Sequence, residues 1–143
     1  MADYKILLKS RLILERDGNV LLMKQTDENG GKHTLVGGTV EDYEFARKAL
    51  IREVKEEAGI TVFKEDLDLV HTLHKKKGIN TRIVLYFKAS KWLGTPISLE
   101  TKKFKNVAWF PLDDLPPRMS PTVKHVFKYY KKGIRYSQYM RKL

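Results

Sequence analysis

The stretch between Gly38 and Ile60 constrains this chain more than any other. It runs Gly38, then Glu44, then seven residues, then Arg52-Glu53-Val54-Lys55-Glu56-Glu57-Ala58-Gly59-Ile60. Residues 45–58 read as a helix, and Gly59 is placed to end it in the left-handed conformation that glycine adopts without steric cost. At about 100° per residue, Glu53, Glu56 and Glu57 stand at i, i+3 and i+4 and share one side. Ala46 and Ala49 lie on that side one and two turns earlier and leave room beside the carboxylates. Leu50, Val54 and Ala58 form the adjoining apolar stripe, so the acids border the core, while Lys48 and Lys55 point elsewhere.

Three carboxylates crowded on one face repel one another, by about 0.2–0.5 kcal/mol per pair on an exposed helix. At a core edge the cost rises, because desolvation disfavours each charge. A divalent cation reverses that sign. Magnesium prefers hard oxygen ligands and is typically held by carboxylates together with substrate phosphates. The alternative, a solvated charged helix face, accounts for an isolated run of acids but not for glycines, arginine and apolar residues at fixed offsets around it.

The rest of the chain reads as one domain spanning 1–143, a length sufficient to bury a core without covalent staples. Residues 4–15 and 19–25 alternate as strands around a turn at Asp17-Gly18. A polar, glycine-containing loop covers 26–34, and Leu35-Val36 make a short apolar step. Residues 67–76 and 81–89 read as strands around Gly78-Ile79-Asn80, and 106–111 as one more. Pro116-Pro117 breaks the chain before a second helix over about 122–132. Strands on both sides of one strong helix, with a late second helix, imply an α/β fold with a mixed sheet between helices.

Charge adds a preference for partners. Lysine and arginine outnumber acids by 28 to 17, a formal net charge of +11, which attracts polyanions. From Lys124 onward come Lys128, Lys131, Lys132, Arg135, Arg141 and Lys142 without a single acid. The absence of cysteine excludes disulfides, thiolate zinc sites and cysteine nucleophiles, and fits a cytoplasmic location. No basic segment followed by a long apolar run marks a signal peptide, and no apolar run is long enough to cross a membrane.

The glycine, glutamate and arginine pattern over residues 38–60 resembles the Nudix box, and the chain is similar to that superfamily from its first strand to its late helix. The resemblance implies the Nudix fold, an α/β/α sandwich with a mixed β-sheet in which the box forms a loop–helix–loop. It implies a pyrophosphohydrolase that cleaves a nucleoside diphosphate linked to another group, with Mg2+ or Mn2+ bound. On the matching positions, Glu53, Glu56 and Glu57 would be metal ligands, and the Gly37 carbonyl a further one. Arg52 would orient the glutamates, Glu44 would support the loop–helix geometry, and Gly38 and Gly59 would serve backbone conformation. Ions would shield the diphosphate and lower the pKa of a bound water, and a carboxylate would take its proton. Glu53 and Glu100 are both candidates for that carboxylate. The chain departs from the pattern in two places, with His33-Thr34-Leu35-Val36 before the glycine pair and Asp42-Tyr43 before Glu44, both where substrate sits.

Residues 75–78 (Lys75, Lys76, Lys77, Gly78) lack the markers of ADP-ribose or diadenosine polyphosphate enzymes. The run Trp92 to Pro96, then Glu100, then Trp109 to Pro116 looks more like the MutT-like (d)NTP pyrophosphatases. Lys24, His33 and Gly38 are candidate substrate contacts, and Trp109 a candidate base-stacking ring. Three readings stay open: a pyrophosphatase for small anionic nucleotides, an enzyme for RNA 5′ ends that would use the basic, tyrosine-rich C-terminal segment, and a non-catalytic nucleotide-binding module.

Overall fold

The computed structural model describes residues 5–141; Tyr4 of the first expected strand and Lys142 of the basic segment lie outside them. The elements run β1 (Ile6–Arg16), β2 (Asn19–Gln25), β3 (His33–Thr34), β4 (Gly37–Thr39), α1 (Ala46–Ala58), β5 (Asp68–Lys77), β6 (Asn80–Ala89), β7 (Phe104–Pro111), α2 (Pro121–Tyr130) and β8 (Tyr136–Arg141). Two short 3-10 turns, Asp27–Asn29 and Lys64–Asp66, complete them.

The strands form one mixed sheet in the order β3-β2-β1-β6-β5-β8, with β4 paired to β1 and β7 paired to β2. β1 and β6 run parallel over nine residue pairs from Ile6↔Thr81 to Leu14↔Ala89. On its other edge β1 changes partner: Glu15 and Arg16 pair with β2, whereas Lys9, Ser10 and Arg11 pair with β4. The β1–β2 turn closes with Asp17 and Gly18 both at positive φ, as a two-residue hairpin requires.

Alternation sends successive β1 residues to opposite faces. Leu12 and Leu14 pack with Leu50, Val54 and Ala58 of α1, while Ile13 packs with Val123, Val126 and Phe127 of α2. The sheet thus lies between two helices, each with its own core, and the expected α/β/α arrangement is present. Removing a buried side chain such as Leu50, fully inaccessible, typically costs about 2–5 kcal/mol. Ser120 caps α2, its hydroxyl accepting from the Val123 N–H, and Pro121 occupies the first turn where no N–H is needed. Gly59 closes α1 at φ 69°, its N–H donating to the Lys55 carbonyl.

The basic C-terminal segment, given no element by the sequence reading, joins the sheet: residues 136–141 add a parallel edge strand to β5, from Thr72↔Tyr136 to Lys77↔Arg141. The join is fixed by a buried polar cluster. His71 Nδ1 lies 2.7 Å from the Ile134 carbonyl, so it carries the proton, and Nε2 accepts from the Ser137 hydroxyl at 2.8 Å. His125 Nε2 reaches the same hydroxyl at 3.1 Å.

Burial pushes His71, His125 and His33 below the ordinary histidine range. Unfolded histidines titrate near about 6.5, so as pH falls the unfolded chain takes up protons first; stability is complete above that value and is lost below it. We expect the thermal midpoint to fall between about pH 7.5 and about pH 5.5, and His71→Gln to lower the midpoint at the upper pH while shrinking that fall. An undiminished fall in the variant would assign the dependence to other groups.

Candidate active site

Helix α1 presents Glu53 and Glu57 to a chamber beside β1 and β4, and Glu56 lies on the same side of the helix outside that lining. Glu57 is buried, with 3 % of its surface exposed, and its Oε1 accepts from the Gly37 N–H at 3.1 Å. Glu53 is half-buried and Glu56 exposed. In this conformation Glu53 and Glu56 share one donor, Arg52 Nη1, at 3.2 and 3.5 Å, while Glu57 turns to the Gly37 N–H. Among the described residues no three acids stand close enough together to chelate one ion. Burial pushes the Glu57 carboxyl up to about 7, opposed by the Gly37 N–H and reinforced by the Glu53 charge. A buried carboxyl beside other carboxylates lacks positive charge, and its all-oxygen donor set suits a hard divalent cation. The residues present fit such an ion.

Arg52 is itself held from behind. Its Nε and Nη2 form a fork on Glu44, at 3.2 and 2.6 Å, and the Glu44 Oε1 also accepts from the Glu41 N–H. The guanidinium holds the Glu44 carboxyl below its usual range. This fork joins the loop before α1 to the helix and sets the guanidinium between the remaining glutamates.

Two glycines shape the floor. Gly37 sits at φ 141°, and a Cβ there would lie 2.2 Å from the Ser10 carbonyl. Its own carbonyl, expected as a metal ligand, accepts from Arg11 Nη1 at 3.1 Å. Gly38 lies outside the positive-φ region, and a Cβ there would meet Glu53 Oε1 at 2.8 Å, so glycine leaves space for the carboxylate.

Two connected chambers open here. One, about 350 Å³, is lined by Gly37, Gly38, Glu41, Glu53, Glu57 and Lys103. The second, about 280 Å³, lies toward α2 and is lined by Lys9, Arg11, Lys32, Lys75, Arg82 and Arg141 among others. They share Lys9, Arg11, Gln25 and Thr34. Burial and neighbouring cations bring Lys9 and Lys75 down to about 8.

The remaining candidates stand apart. Lys24 Nζ donates to the Gly31 carbonyl at 2.5 Å, and His33 packs edge-on against Phe110; neither lines a chamber. His33 instead ties its strand to the start of α2, its N–H donating to the Arg118 carbonyl and its carbonyl accepting from Ser120. Glu100 pairs with Lys103 at 3.2 Å and does not line the carboxylate chamber, although Leu99 next to it donates to the Glu57 carbonyl. Trp109 stacks on Trp92 with centroids 5.7 Å apart, beneath the Arg16 guanidinium, away from both chambers. The cations at 9, 11, 32, 75 and 82 were not singled out from sequence. Their signal was alternation: Lys9 and Arg11 share parity with the core residue Ile13, and Arg82 with Val84, which marks inward-facing cations.

A NUDIX domain family model matches residues 10–130. The chain belongs to the NUDIX family. Among solved structures, the fold is similar to the MutT NUDIX hydrolase from Burkholderia pseudomallei, at 25% identity and TM-score 0.78, covering 87% of this chain and 97% of that one. An ADP-ribose pyrophosphatase from Streptococcus suis, 19% identical over 94% of this chain and 98% of its own, shares the fold at TM-score 0.60. A sequence relative, the NAD-capped RNA hydrolase NudC of Escherichia coli O1:K1, is 31% identical over 103 residues, which is 72% of this chain and 38% of that protein. The chain therefore spans about two fifths of the length of that relative. The family model and the solved structures thus give the family and the fold of this domain.

The two glycines should separate stability from site geometry. Gly37→Ala sets a side chain against backbone at a φ that favours glycine, and we expect a loss on the order of 2 kcal/mol or more in denaturant unfolding. Gly38→Ala meets only the movable end of Glu53; its unfolding midpoint should stay close to the parent, while its affinity for manganese, read by calorimetry, falls.

Proposed function

We propose that this Nudix domain is a Mg2+-dependent pyrophosphohydrolase acting on a small anionic substrate that contains a diphosphate linkage, within the range of (d)NTPs and nucleoside diphosphate derivatives. The observation that carries this reading is a buried Glu57 beside Glu53 and Gly37 at the wall of a chamber that continues into a cationic one. Glu53, Glu56 and Glu57 would hold magnesium, or manganese in its place. The bound ion supplies shielding of the diphosphate charge and a water of lowered pKa.

Everything else falls to the protein's own groups. Arg52, anchored on Glu44, holds Glu53 and Glu56 in place through one guanidinium nitrogen. Lys9 and Arg11, common to both chambers, receive the phosphate oxygens and fix the chain of phosphates relative to α1. Water oxygen then forms a bond to phosphorus, the bridging P–O bond breaks, the water's proton passes to a carboxylate, and the leaving phosphate departs as an anion. Glu53 faces that space and Glu100 is turned onto Lys103, which favours Glu53 as the acceptor. The Gly37 carbonyl accepts from the Arg11 guanidinium and keeps a second lone pair for the ion.

The cysteine-free sequence fits a cytoplasmic setting, and no helix among the described residues is long and apolar enough to cross a membrane. The second reading, RNA 5′ ends, gains from the name of the NudC relative. Part of the basic, tyrosine-rich segment on which it rests, Tyr136–Arg141, is an edge strand of the sheet.

Glu56→Gln and Glu57→Gln should each leave the fold intact and lower magnesium-dependent turnover at least about 10²-fold. Phosphate and pyrophosphate release from a nucleotide panel measures this, and near-parental rates in both variants at saturating magnesium would remove the metal reading. Glu53→Gln should likewise cost kcat, whereas Glu100→Gln should keep kcat and KM within about three-fold. A large kcat loss at Glu100 with KM unchanged would return the proton to that residue.

A further inference from the structure

One face of the sheet changes character along its strands. Ile13, Val84, Tyr86 and Leu73 lie under the body of α2 and are buried. Two residues farther along the same rows, Arg11 and then Lys9 follow Ile13, Arg82 follows Val84, and Lys75 follows Leu73; Arg141 follows Tyr139 on the edge strand. With Lys32 these cations line the second chamber, which holds no carboxylate. Among the described residues none of the six forms an ion pair. Lys75 is only 7 % exposed, and its ammonium donates to the neutral Thr122 hydroxyl at 2.8 Å. A cation buried without counter-charge is costly, and a purely structural position would be served better by an apolar side chain. Residues 120–123 at the N-terminus of α2 add the positive end of a ten-residue helix whose first turn carries no acid.

What the chamber lacks matters equally. Its one aromatic residue, Tyr86, is 1 % exposed and offers no ring face to a base, while both tryptophans lie elsewhere. The neutral polar groups, Gln25, Asn29 and Thr34, suit hydroxyl and phosphate oxygens. We infer that this chamber receives the part of the substrate that is not cut, and that this part carries several phosphate groups of its own, as in a phosphate chain or a polyphosphorylated polyol. The inference rests on the hydrolase reading above and names its substrate class.

Titration calorimetry without metal tests it, using inorganic tripolyphosphate and inositol hexakisphosphate as the two sources of such chemistry and ADP-ribose as the reference. We expect at least one polyanion to bind ten-fold or more tighter than ADP-ribose, and the tighter one identifies the source. Lys75→Gln and Arg82→Gln should each weaken it five-fold or more, whereas Glu56→Gln should leave it bound; circular dichroism melts check that the variants fold. With magnesium, diphosphate compounds whose uncut part is polyphosphorylated should be hydrolysed with at least ten-fold higher kcat/KM than those ending in a neutral sugar, and Arg82→Gln should erode that preference through KM. Equal affinity for ADP-ribose, or indifference to both chamber variants, overturns the inference. So does a 5′-triphosphorylated oligonucleotide that binds tighter than either small polyanion. Polyanion binding that the variants weaken supports the chamber even without turnover, and failure of every diphosphate compound to react with magnesium or manganese overturns the hydrolase reading alone.

Discussion

The change of partner along β1 is the constraint on which the rest depends. A strand has two hydrogen-bonding edges, and β6 occupies one of them over nine residue pairs. The other edge is divided between β2 at Glu15 and Arg16 and β4 at Lys9 to Arg11. Because β2 and β4 take different stretches of that one edge, the sheet opens between them, and Gln25 and Thr34 come to line the opening. The close approach of Gly37 to Ser10 is what allows the split.

Charge is unevenly distributed around this opening. Two acids of α1, Glu53 and Glu56, are tied to one another through a single guanidinium and its Glu44 support, and Glu57 is held by the Gly37 N–H. The cations opposite have no such internal partners. Burial first, and mutual repulsion after it, depress two lysines, so this cationic lining is electrostatically costly. A protein of net charge +11 could have spread its excess over the solvent-facing surface at little expense. Part of it is instead concentrated in a half-enclosed space, and this distinguishes a binding device from a solubilising coat.

Helix α1 was readable in the sequence nearly to the residue, because a 3.6-residue apolar stripe, a terminating glycine and a ladder of acids all report on the same local geometry. The hairpin at Asp17-Gly18 and the paired strands around Gly78-Ile79 were legible for the same reason, with β5 and β6 extending a residue farther toward their turn than expected. β3 and β4 are too short to show a period, and they exist because of their partners. β8 did carry a faint alternation, with Ser137 buried and Tyr139 half-buried, but its lysine and arginine neighbours disguised it as a tail. The cationic chamber was invisible because its members come from β1, β5, β6, β8 and a loop, and only strand pairing brings them together. Lys24 and His33, by contrast, looked like substrate contacts in isolation and proved to be engaged with the loop and with the start of α2.

The stacked pair of tryptophans bears on how this protein can be observed. Trp92 and Trp109 are the only two in the chain, and they report from one place, beneath Arg16 at the outer side of β1, β2 and β7. Neither touches a chamber lining the site. Intrinsic fluorescence therefore follows the integrity of that wing of the sheet and is nearly blind to what occupies the cleft. An unchanged emission spectrum during a titration carries no information about binding, and the environment-sensitive optical handle for the site would have to be introduced rather than borrowed from the native chain.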